Sequence, residues 1–328
     1  IALIGNEGDL PYHKPPLSKT FIKDPDAKPQ ILRAEAFYSG AAIELITGET
    51  VAAIDPAASR VRLLTGTTIP FGHAIIATGA RPRPLSIEGG PLGGVLSLRS
   101  LADARAIRER AAGAEDVVVM GGGFIGLEIA ATLAAGGRRV TVIEAQDRLL
   151  ARAVAPVVAA HVARRLEASG VRILTATTIA RLEGQAGDIA AVETSAGERI
   201  AARLLVVGIG VVPNSRIAEE AGLAVGNGIA VDQQLRTGAQ NILAIGDVAE
   251  FRHWQTRADV RLESVQNATD HAKLAARTVT GHAEPYRAVP WFWSDIGDMK
   301  LQMVGLTAGS DSQLVRFTPY ASVAAGGG

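Results

Sequence analysis

Cysteine is absent from this sequence, and its absence excludes several kinds of chemistry. A chain without thiols forms no structural disulfide, no thiolate metal site and no C-x-x-C redox pair. Long apolar runs are also lacking, since none approaches the roughly 20 residues of a membrane span. No signal-peptide pattern of basic, apolar and small residues occurs. We therefore predict a soluble, cytoplasmic protein with no metal site and no membrane partner.

An excess of either charge is missing too. Lys plus Arg and Asp plus Glu each number 33, so the formal net charge is zero. This balance gives no attraction to nucleic acid, and any electrostatic partner must meet a local patch. The length of 328 residues exceeds one core of ordinary size. A mean hydropathy of +0.20 with 48% hydrophobic residues is typical of α/β proteins with buried sheets, so we expect two or more domains.

What the sequence does contain is a glycine-rich unit between Asp116 and Glu144. Val117–Met120 is a short apolar run typical of a buried parallel strand, and Phe124–Ala135 is apolar without proline, as a helix would be. The turn between them fits G-x-G-x-x-G through Gly121, Gly123 and Gly126. Such glycines allow a tight turn, approach of a pyrophosphate and close helix packing, with the phosphates on the helix N-terminus. The order of these elements favours dinucleotide binding over an ordinary βαβ turn.

The acid at the end of the second strand indicates which nucleotide is bound. Val140–Ile143 ends in Glu144, eighteen positions beyond Gly126, where a carboxylate can accept both adenosine ribose hydroxyls. That carboxylate would repel a 2′-phosphate, which favours NADH over NADPH. Three arginines lie close enough in sequence to leave NADPH open, namely Arg138, Arg139 and Arg148. A solvated acid at a strand end is the alternative interpretation of the glutamate.

Two further apolar strands end in polar residues. His73–Gly79 finishes in Thr78 and Gly79, and the run 241–247 places Asp247 directly after a glycine. Its carboxylate then projects from the strand end, where a sugar or ribityl hydroxyl would suit it. A structural Gly-Asp turn explains this residue equally well.

The remaining pattern predicts alternating strands and helices. Pro15 and Pro16 can start but not continue a helix, so a short helix is predicted from Leu17 onward. Further helices are predicted over 101–112, 157–168 and 262–278. Strands are predicted over 1–4, 44–46, 50–54, 60–64, 171–174, 206–210 and 299–305, with an antiparallel meander over 190–194 and 199–205. The R-P-R-P run at 81–84 stiffens a crossover and marks a domain boundary.

Six ordered motifs resemble the NADH-dependent, FAD-containing ferredoxin reductases of oxygenase systems, within the wider two-dinucleotide-domain flavoprotein family. They are P-P-L-S-K at 15–19, A-T-G-A-R-P-R-P at 77–84, G-G-G-F-I-G-L-E at 121–128, G-I-G-V-V-P-N at 208–214, A-I-G-D at 244–247 and V-P-W-F-W-S-D at 289–295. The resemblance covers nearly the whole chain. The family's own FAD glycine motif would precede the strand at which this chain begins. Asn6 stands where the family more often has Asp, and its amide can still contact a hydroxyl.

The resemblance implies FAD and NAD as cofactors. It also implies that Lys19 and Glu128 are catalytic and form an ion pair beside the flavin's reactive edge, the alternative being two solvated charges. The resemblance implies that Asn6 and Lys19 approach the FAD. Val51 and Arg99 would line its adenine and pyrophosphate side. Asp247 and Val265 would contact its ribityl chain and its ring. The full cofactor-binding set comprises Asn6, Pro15, Lys19, Val51, Thr78, Gly79, Arg99, Gly121, Gly123, Ile125, Gly126, Glu128, Glu144, Gly208, Gly210, Gly246, Asp247, Val265 and Trp293.

The implied fold is α/β, with two Rossmann-like three-layer dinucleotide-binding domains. The FAD-binding domain is predicted over 1–80 and 211–286, without its first strand and helix. The NAD-binding domain over 81–210 is inserted into it, and 287–328 is the start of a truncated α+β C-terminal interface domain.

The implied activity is that of an NADH:ferredoxin oxidoreductase, in which FAD takes a hydride from NADH and passes single electrons to a two-iron ferredoxin serving an oxygenase. The missing cysteines argue against the disulfide reductases and peroxidases that share this fold. Rubredoxin or dehydroascorbate-radical reduction fits the same motifs, and a non-catalytic NADH-binding module is the alternative from another class. An acidic ferredoxin would need basic residues near the flavin edge. The docking candidates are Arg33, Lys273 and Lys300, with Arg252, Arg257 and Arg261 as an alternative strip.

Overall fold

A computed structural model describes residues 1–306 and 314 of the chain. Its α-helices are α1 (Thr20–Lys23), α2 (Glu35–Gly40), α3 (Leu101–Ala112), α4 (Phe124–Ala135), α5 (Pro156–Ala168), α6 (Arg216–Glu220) and α7 (Val265–Val279). Its strands are β1 (Ala2–Gly5), β2 (Glu44–Thr47), β3 (Val51–Asp55), β4 (Arg60–Leu63), β5 (Thr68–Pro70), β6 (Ala74–Ile76), β7 (Ala80–Pro82), β8 (Val95–Ser97), β9 (Asp116–Met120), β10 (Arg139–Ile143), β11 (Arg172–Leu174), β12 (Ile179–Gln185), β13 (Asp188–Thr194), β14 (Arg199–Ala201), β15 (Leu204–Val207), β16 (Val211–Pro213), β17 (Ile229–Val231), β18 (Ile242–Ala244), β19 (Ala249–Arg252), β20 (Asp259–Val260), β21 (Trp291–Ile296) and β22 (Met299–Val304).

A five-stranded sheet with the order β11-β10-β9-β15-β8 forms the middle layer of the glycine-rich half. Every neighbouring pair runs parallel. Alternate residues of β9 face opposite sides, so Val117 and Val119 pack with α3, α4 and α5, while Val118 packs against the antiparallel sheet β12-β13-β14. Helices, parallel sheet and antiparallel sheet make three layers, which confirms the predicted α/β class.

Two local predictions are wrong in detail. The predicted antiparallel meander is confirmed for β13 and β14, which pair antiparallel. Its last residues were placed wrongly, because Leu204–Val207 joins the parallel sheet beside β9. All four of its residues are buried, as in a strand covered on both faces. The helix predicted from Leu17 is instead a 3₁₀ turn over Pro15–Ser18, followed by α1. Lys19 lies at the joint with φ −124° and ψ −106°, outside helical geometry.

The other half contains smaller sheets. β1 pairs with β2 and β6 with β18, both parallel, while β3-β4-β5 and β17-β19-β20 are three-stranded. β7 and β16 pair antiparallel, so the two connections to the glycine-rich half run side by side at the predicted boundaries. The domain division itself stays a prediction, and the interface domain over 287–328 extends beyond the described residues. Among residues 1–306 and 314, no helix has the length and apolarity needed to cross a bilayer.

Candidate functional site

The glycine-rich turn lies where the parallel sheet changes its winding direction. β9 has β10 on one side and β15 on the other, and such switch points are where open α/β sheets bind ligands. Gly121 has φ +109°, and a Cβ there would lie 2.4 Å from the Gly208 carbonyl oxygen. A Cβ on Gly126 would lie 2.4 Å from the Gly121 carbonyl oxygen. Glycine is required at both positions, because a side chain on Gly121 would meet the backbone that follows β15, and one on Gly126 would keep α4 from packing this closely on the turn.

Gly123 differs from the other two glycines, because a Cβ there would meet open space. It is the N-cap residue of α4, with no side-chain capping hydrogen bond and no acidic residue in the first turn. The first N–H groups of a helix have no partner within the helix. Ile125, in the same turn, is 49% exposed. This uncapped helix start below open space fits the pyrophosphate of a dinucleotide.

Glu144 follows β10 and reaches over this turn. Its Oε2 accepts the Gly122 N–H at 2.6 Å, and its Oε1 accepts the Gln146 N–H at 2.7 Å. The two bonds hold the carboxylate in place, and its remaining lone pairs can accept hydroxyl groups. Its contact with a ribose stays a prediction.

The arginines that left NADPH open are bonded elsewhere. Arg148 donates to the carbonyl oxygens of Ala151 and Val154 at 2.6 and 3.0 Å. Arg138 and Arg139 lie at the start of β10, at the opposite end of the strand from the glutamate, where both bond to neighbouring groups. A 2′-phosphate at this position would therefore meet the Glu144 carboxylate, and none of these three arginines is free to pair with it.

A buried carboxylate joins three segments that are distant in sequence. Glu128 on α4 is 4% exposed. Its Oε2 lies 2.9 Å from the Lys19 ammonium and accepts the Ser18 hydroxyl at 2.5 Å, while its Oε1 accepts the Ser294 hydroxyl at 2.7 Å. The ammonium also donates to the Pro15 carbonyl oxygen at 3.2 Å. The predicted ion pair is confirmed, and the alternative of two solvated charges is wrong.

The contribution of Ser294 was missed, although the strand pattern carried a signal. Side chains on a strand alternate between its faces, so Ser294 shares a face with Phe292 and Ile296. Phe292 packs on Phe124 of α4 with ring centroids 4.7 Å apart, and the isoleucine is fully buried. A serine between two inward apolar residues needs a polar partner inside. Trp293, on the other face, stacks on the partly exposed Trp291 with centroids 5.1 Å apart.

A second cluster forms where β6 and β18 end. Because these strands are parallel neighbours, Gly79 and Asp247 emerge at the same edge. Asp247 Oδ2 pairs with Arg99 Nη2 at 2.8 Å, and a Cβ on Gly79 would come within 3.1 Å of that guanidinium. Arg261 donates to the Asp247 carbonyl oxygen at 2.9 Å. The structure thus brings two predicted residues together as an ion pair, and their contact with a flavin stays a prediction.

The turn before Asp247 depends on a histidine that the sequence did not indicate. Gly246, with φ +67°, donates its N–H to His271 Nδ1 at 3.2 Å. His271 is fully buried, and this burial lowers its pKa to about 4. A neutral imidazole can accept the amide hydrogen, so the histidine stabilises the turn at neutral pH.

The other predicted residues lie around these clusters. Thr78 donates its hydroxyl to the Asn214 carbonyl oxygen at 2.8 Å, and Val265 begins α7 with 44% exposure. Asn6 is exposed after β1, and Val51 packs beside the cluster that contains Ile54. The Gly208 N–H donates to the Met120 carbonyl oxygen at 2.7 Å. The backbone N–H of Arg83 donates to the Gly210 carbonyl oxygen.

The docking candidates Arg33, Lys273 and Lys300 are exposed, on a loop, α7 and β22. In the alternative strip of Arg252, Arg257 and Arg261, the prediction for Arg261 is wrong. The Arg261 side chain is 9% exposed and pairs with Glu263 at 2.6 Å, so it is a structural cation and not a free surface charge.

Comparison with known proteins gives two family matches and many relatives. The profile of the pyridine nucleotide-disulphide oxidoreductase family matches residues 1–272, and that of the Reductase C-terminal family matches 291–325. The rhodocoxin reductase of Rhodococcus erythropolis is 44% identical over 317 residues, covering 96% of this chain and 74% of that protein. A rubredoxin-NAD(+) reductase of Pseudomonas putida is 40% identical, with 96% and 82% covered.

Solved structures agree with these relatives. A ferredoxin reductase from Rhodopseudomonas palustris superposes with a TM-score of 0.93 at 43% identity, covering 97% of this chain and 79% of that one. The covalent complex of putidaredoxin reductase with putidaredoxin also gives a TM-score of 0.93, at 36% identity and with 97% and 78% covered.

Proposed function

This chain belongs to the pyridine nucleotide-disulphide oxidoreductase family, and we propose that, as a ferredoxin–NAD(P)⁺ reductase, it takes electrons from NADH and delivers them to a two-iron ferredoxin. A relative that is 44% identical is named a rhodocoxin reductase, and one that is 40% identical is named a ferredoxin–NAD(P)(+) reductase.

Family membership implies FAD and a nicotinamide nucleotide, and the residues present fit both groups. The open space over Gly123 and the uncapped start of α4 fit the dinucleotide phosphates. Asp247 and Arg99 offer an acceptor and a cation at a strand edge, as a flavin's hydroxyl and phosphate groups require. When bound, the flavin accepts electrons in pairs and releases them singly.

The observation that carries the proposal is the buried pair of Glu128 and Lys19. Glu128 lies on the helix that starts at the glycine-rich turn, while Lys19 ends the P-P-L-S-K motif, which the family resemblance implies lies beside the flavin. Their contact brings these two segments together at 2.9 Å. Hydride transfer needs two rings held in fixed orientation, and a bonded cluster shared by both segments restricts their relative motion.

NADH is preferred in this proposal because the Glu144 carboxylate stands over the turn, where it would repel a 2′-phosphate. The bonds of Arg138, Arg139 and Arg148 to other groups support this choice. The missing cysteines support an external acceptor, since the chain cannot pass electrons through its own dithiol. Rubredoxin is the second candidate acceptor, favoured by a relative that is 40% identical and named for it.

The test is spectroscopic and uses purified protein. We expect a yellow protein whose visible flavin bands bleach on anaerobic addition of NADH and more slowly with NADPH. Catalytic reduction of a two-iron ferredoxin, followed by its own absorbance, should then exceed that of rubredoxin. A colourless protein that still binds NADH would contradict the reductase and support a non-catalytic NADH-binding module.

A further inference from the structure

We propose that Ser294 is a positioning residue, whose hydroxyl turns the Glu128 carboxylate toward the nicotinamide half of the bound cofactor. The proposal rests on the proposed function, because it takes NADH to occupy the glycine-rich turn. Ser294 lies in the segment that matches the Reductase C-terminal family. A residue outside the nucleotide-binding unit would then control how that unit holds the reactive end of its ligand.

The two oxygens of Glu128 have unequal partners. Oε2 accepts from Ser18 and Lys19, while Oε1 has Ser294 as its one hydrogen-bond donor within the described residues. Ser294 is 0% exposed, so in the parent its hydroxyl, and not bulk water, satisfies this oxygen. An unpartnered carboxylate oxygen at a buried position is unfavourable. Without the hydroxyl, the carboxylate should rotate so that both oxygens approach the lysine.

The backbone holds Ser294 firmly in this arrangement. The register of β21 with β22 places Ser294 opposite Leu301, and the neighbouring inward residues Phe292 and Ile296 pack against α4 and its core. The serine therefore approaches the glutamate from a fixed direction. It can set the plane of the carboxylate, which the flexible lysine side chain cannot do alone.

The proposed effect is confined to one half of the ligand. In the proposed function, Glu144 and the start of α4 hold the adenosine ribose and phosphates, and neither contacts Ser294 in the described structure. Glu128 lies one turn further along the helix, on the side where Lys19 arrives. ADP-ribose contains the first set of groups and lacks nicotinamide, so it separates the two halves experimentally.

The experiment titrates NAD⁺ and ADP-ribose into the purified protein by calorimetry. We expect Ser294→Ala to weaken NAD⁺ binding about tenfold, because the rotated carboxylate loses a charge-assisted hydrogen bond to the nicotinamide half of the ligand, and to leave ADP-ribose binding unchanged. Ser294→Thr keeps the hydroxyl and should restore NAD⁺ binding. Ser169→Ala is the control for loss of a serine hydroxyl away from the cluster, because the exposed Ser169 donates to the Leu166 carbonyl oxygen at 2.7 Å and does not touch the glutamate.

The outcomes separate this proposal from the proposed function. Equal weakening of both ligands by Ser294→Ala would mean a structural role only, and unchanged NAD⁺ binding would remove the serine from the site; either overturns the inference alone. A parent protein that binds ADP-ribose and NAD⁺ equally would show that Glu128 does not meet the nicotinamide, which also overturns it. Failure of the parent to bind either ligand would overturn the proposed function itself. If the alanine variant does not fold, Ser294→Cys fills the site with a side chain of similar size that is only a weak hydrogen-bond donor. This variant should weaken NAD⁺ binding and leave ADP-ribose binding unchanged.

Discussion

The two halves of the candidate site are built in different ways. The glycine-rich turn and Glu144 lie in one continuous stretch, Asp116–Glu144, shaped by glycines that lie close to backbone atoms. The Glu128 cluster instead joins Ser18 and Ser294, which are 110 and 166 positions from the glutamate. The first half is determined by local geometry, whereas the second exists only when three separate segments are packed. Substitutions should therefore act locally in the first half and on the whole fold in the second.

The largest effect is expected from Lys19→Met in the assembled cluster. The change leaves Glu128 buried without its counter-ion, and we expect the free energy of unfolding to fall by about 3 kcal/mol, as measured by urea denaturation. Combining it with Glu128→Gln should recover most of this loss, because the amide carries no charge, its oxygen can accept one serine hydroxyl and its NH2 group can donate to the other.

The exposed pair of Lys14 and Glu7, at 3.1 Å, provides the control for that experiment. Lys14→Met should cost less than about 1 kcal/mol, because water screens exposed ion pairs. Equal losses for the two lysine variants would show that the buried cluster contributes no more to folding than a surface pair.

The second prediction divides the glycines of the continuous half. Gly126→Ala places a methyl group 2.4 Å from a backbone oxygen and should lower the free energy of unfolding by about 2 kcal/mol. Gly123→Ala meets no atom within 4 Å, so its unfolding midpoint should match that of the parent. Its NADH affinity should nevertheless fall, because the methyl group occupies the space open to the phosphates. Similar stabilities for both variants would mean that the turn tolerates displacement of α4.

The same contrast explains what the sequence could predict. The bounds of α3 and α4 agree with the predicted ranges, because their helical patterns are local; Ser100 caps α3, with Asp103 completing a capping box. Parallel strands that end in Thr78–Gly79 and Gly246–Asp247 could also be recognised, since an apolar run followed by a polar residue is a local pattern.

The partners of these residues could not be predicted, because they come from elsewhere in the chain. The bond from His271 to the Gly246 amide depends on how α7 packs, and no spacing in the sequence indicates it. Arg261 looked like a surface cation until the fold placed it against the Asp247 carbonyl oxygen. The pairing of Lys19 with Glu128 was predicted from family resemblance, whereas periodicity alone gave only a lysine after a proline pair.

The third prediction concerns cofactor choice in the continuous half. Glu144→Ala should weaken NADH binding about tenfold, because hydrogen bonds to a charged acceptor are lost, and should narrow the difference from NADPH by removing the repulsion of a 2′-phosphate. The measurement is kcat/KM for both nucleotides. Gln146→Ala is the control, since only its backbone N–H contacts the glutamate. An unchanged ratio in the Glu144 variant would count against the ribose assignment.

The smallest effect is expected at the surface, where neither half of the site is altered. Changing Arg33, Lys273 and Lys300 together to Gln should slow ferredoxin reduction a few-fold at low salt, because rim charges act mainly on association rate. Reduction of a small artificial acceptor should be unaffected, since hydride transfer does not involve these side chains. A matched triple change of Arg172, Arg199 and Arg216, all exposed and each paired with a glutamate, removes the same charge elsewhere and should leave the ferredoxin rate unaltered. Turnover against ionic strength decides the question: if both triple variants follow the parent's salt dependence, the three candidates do not form the docking patch.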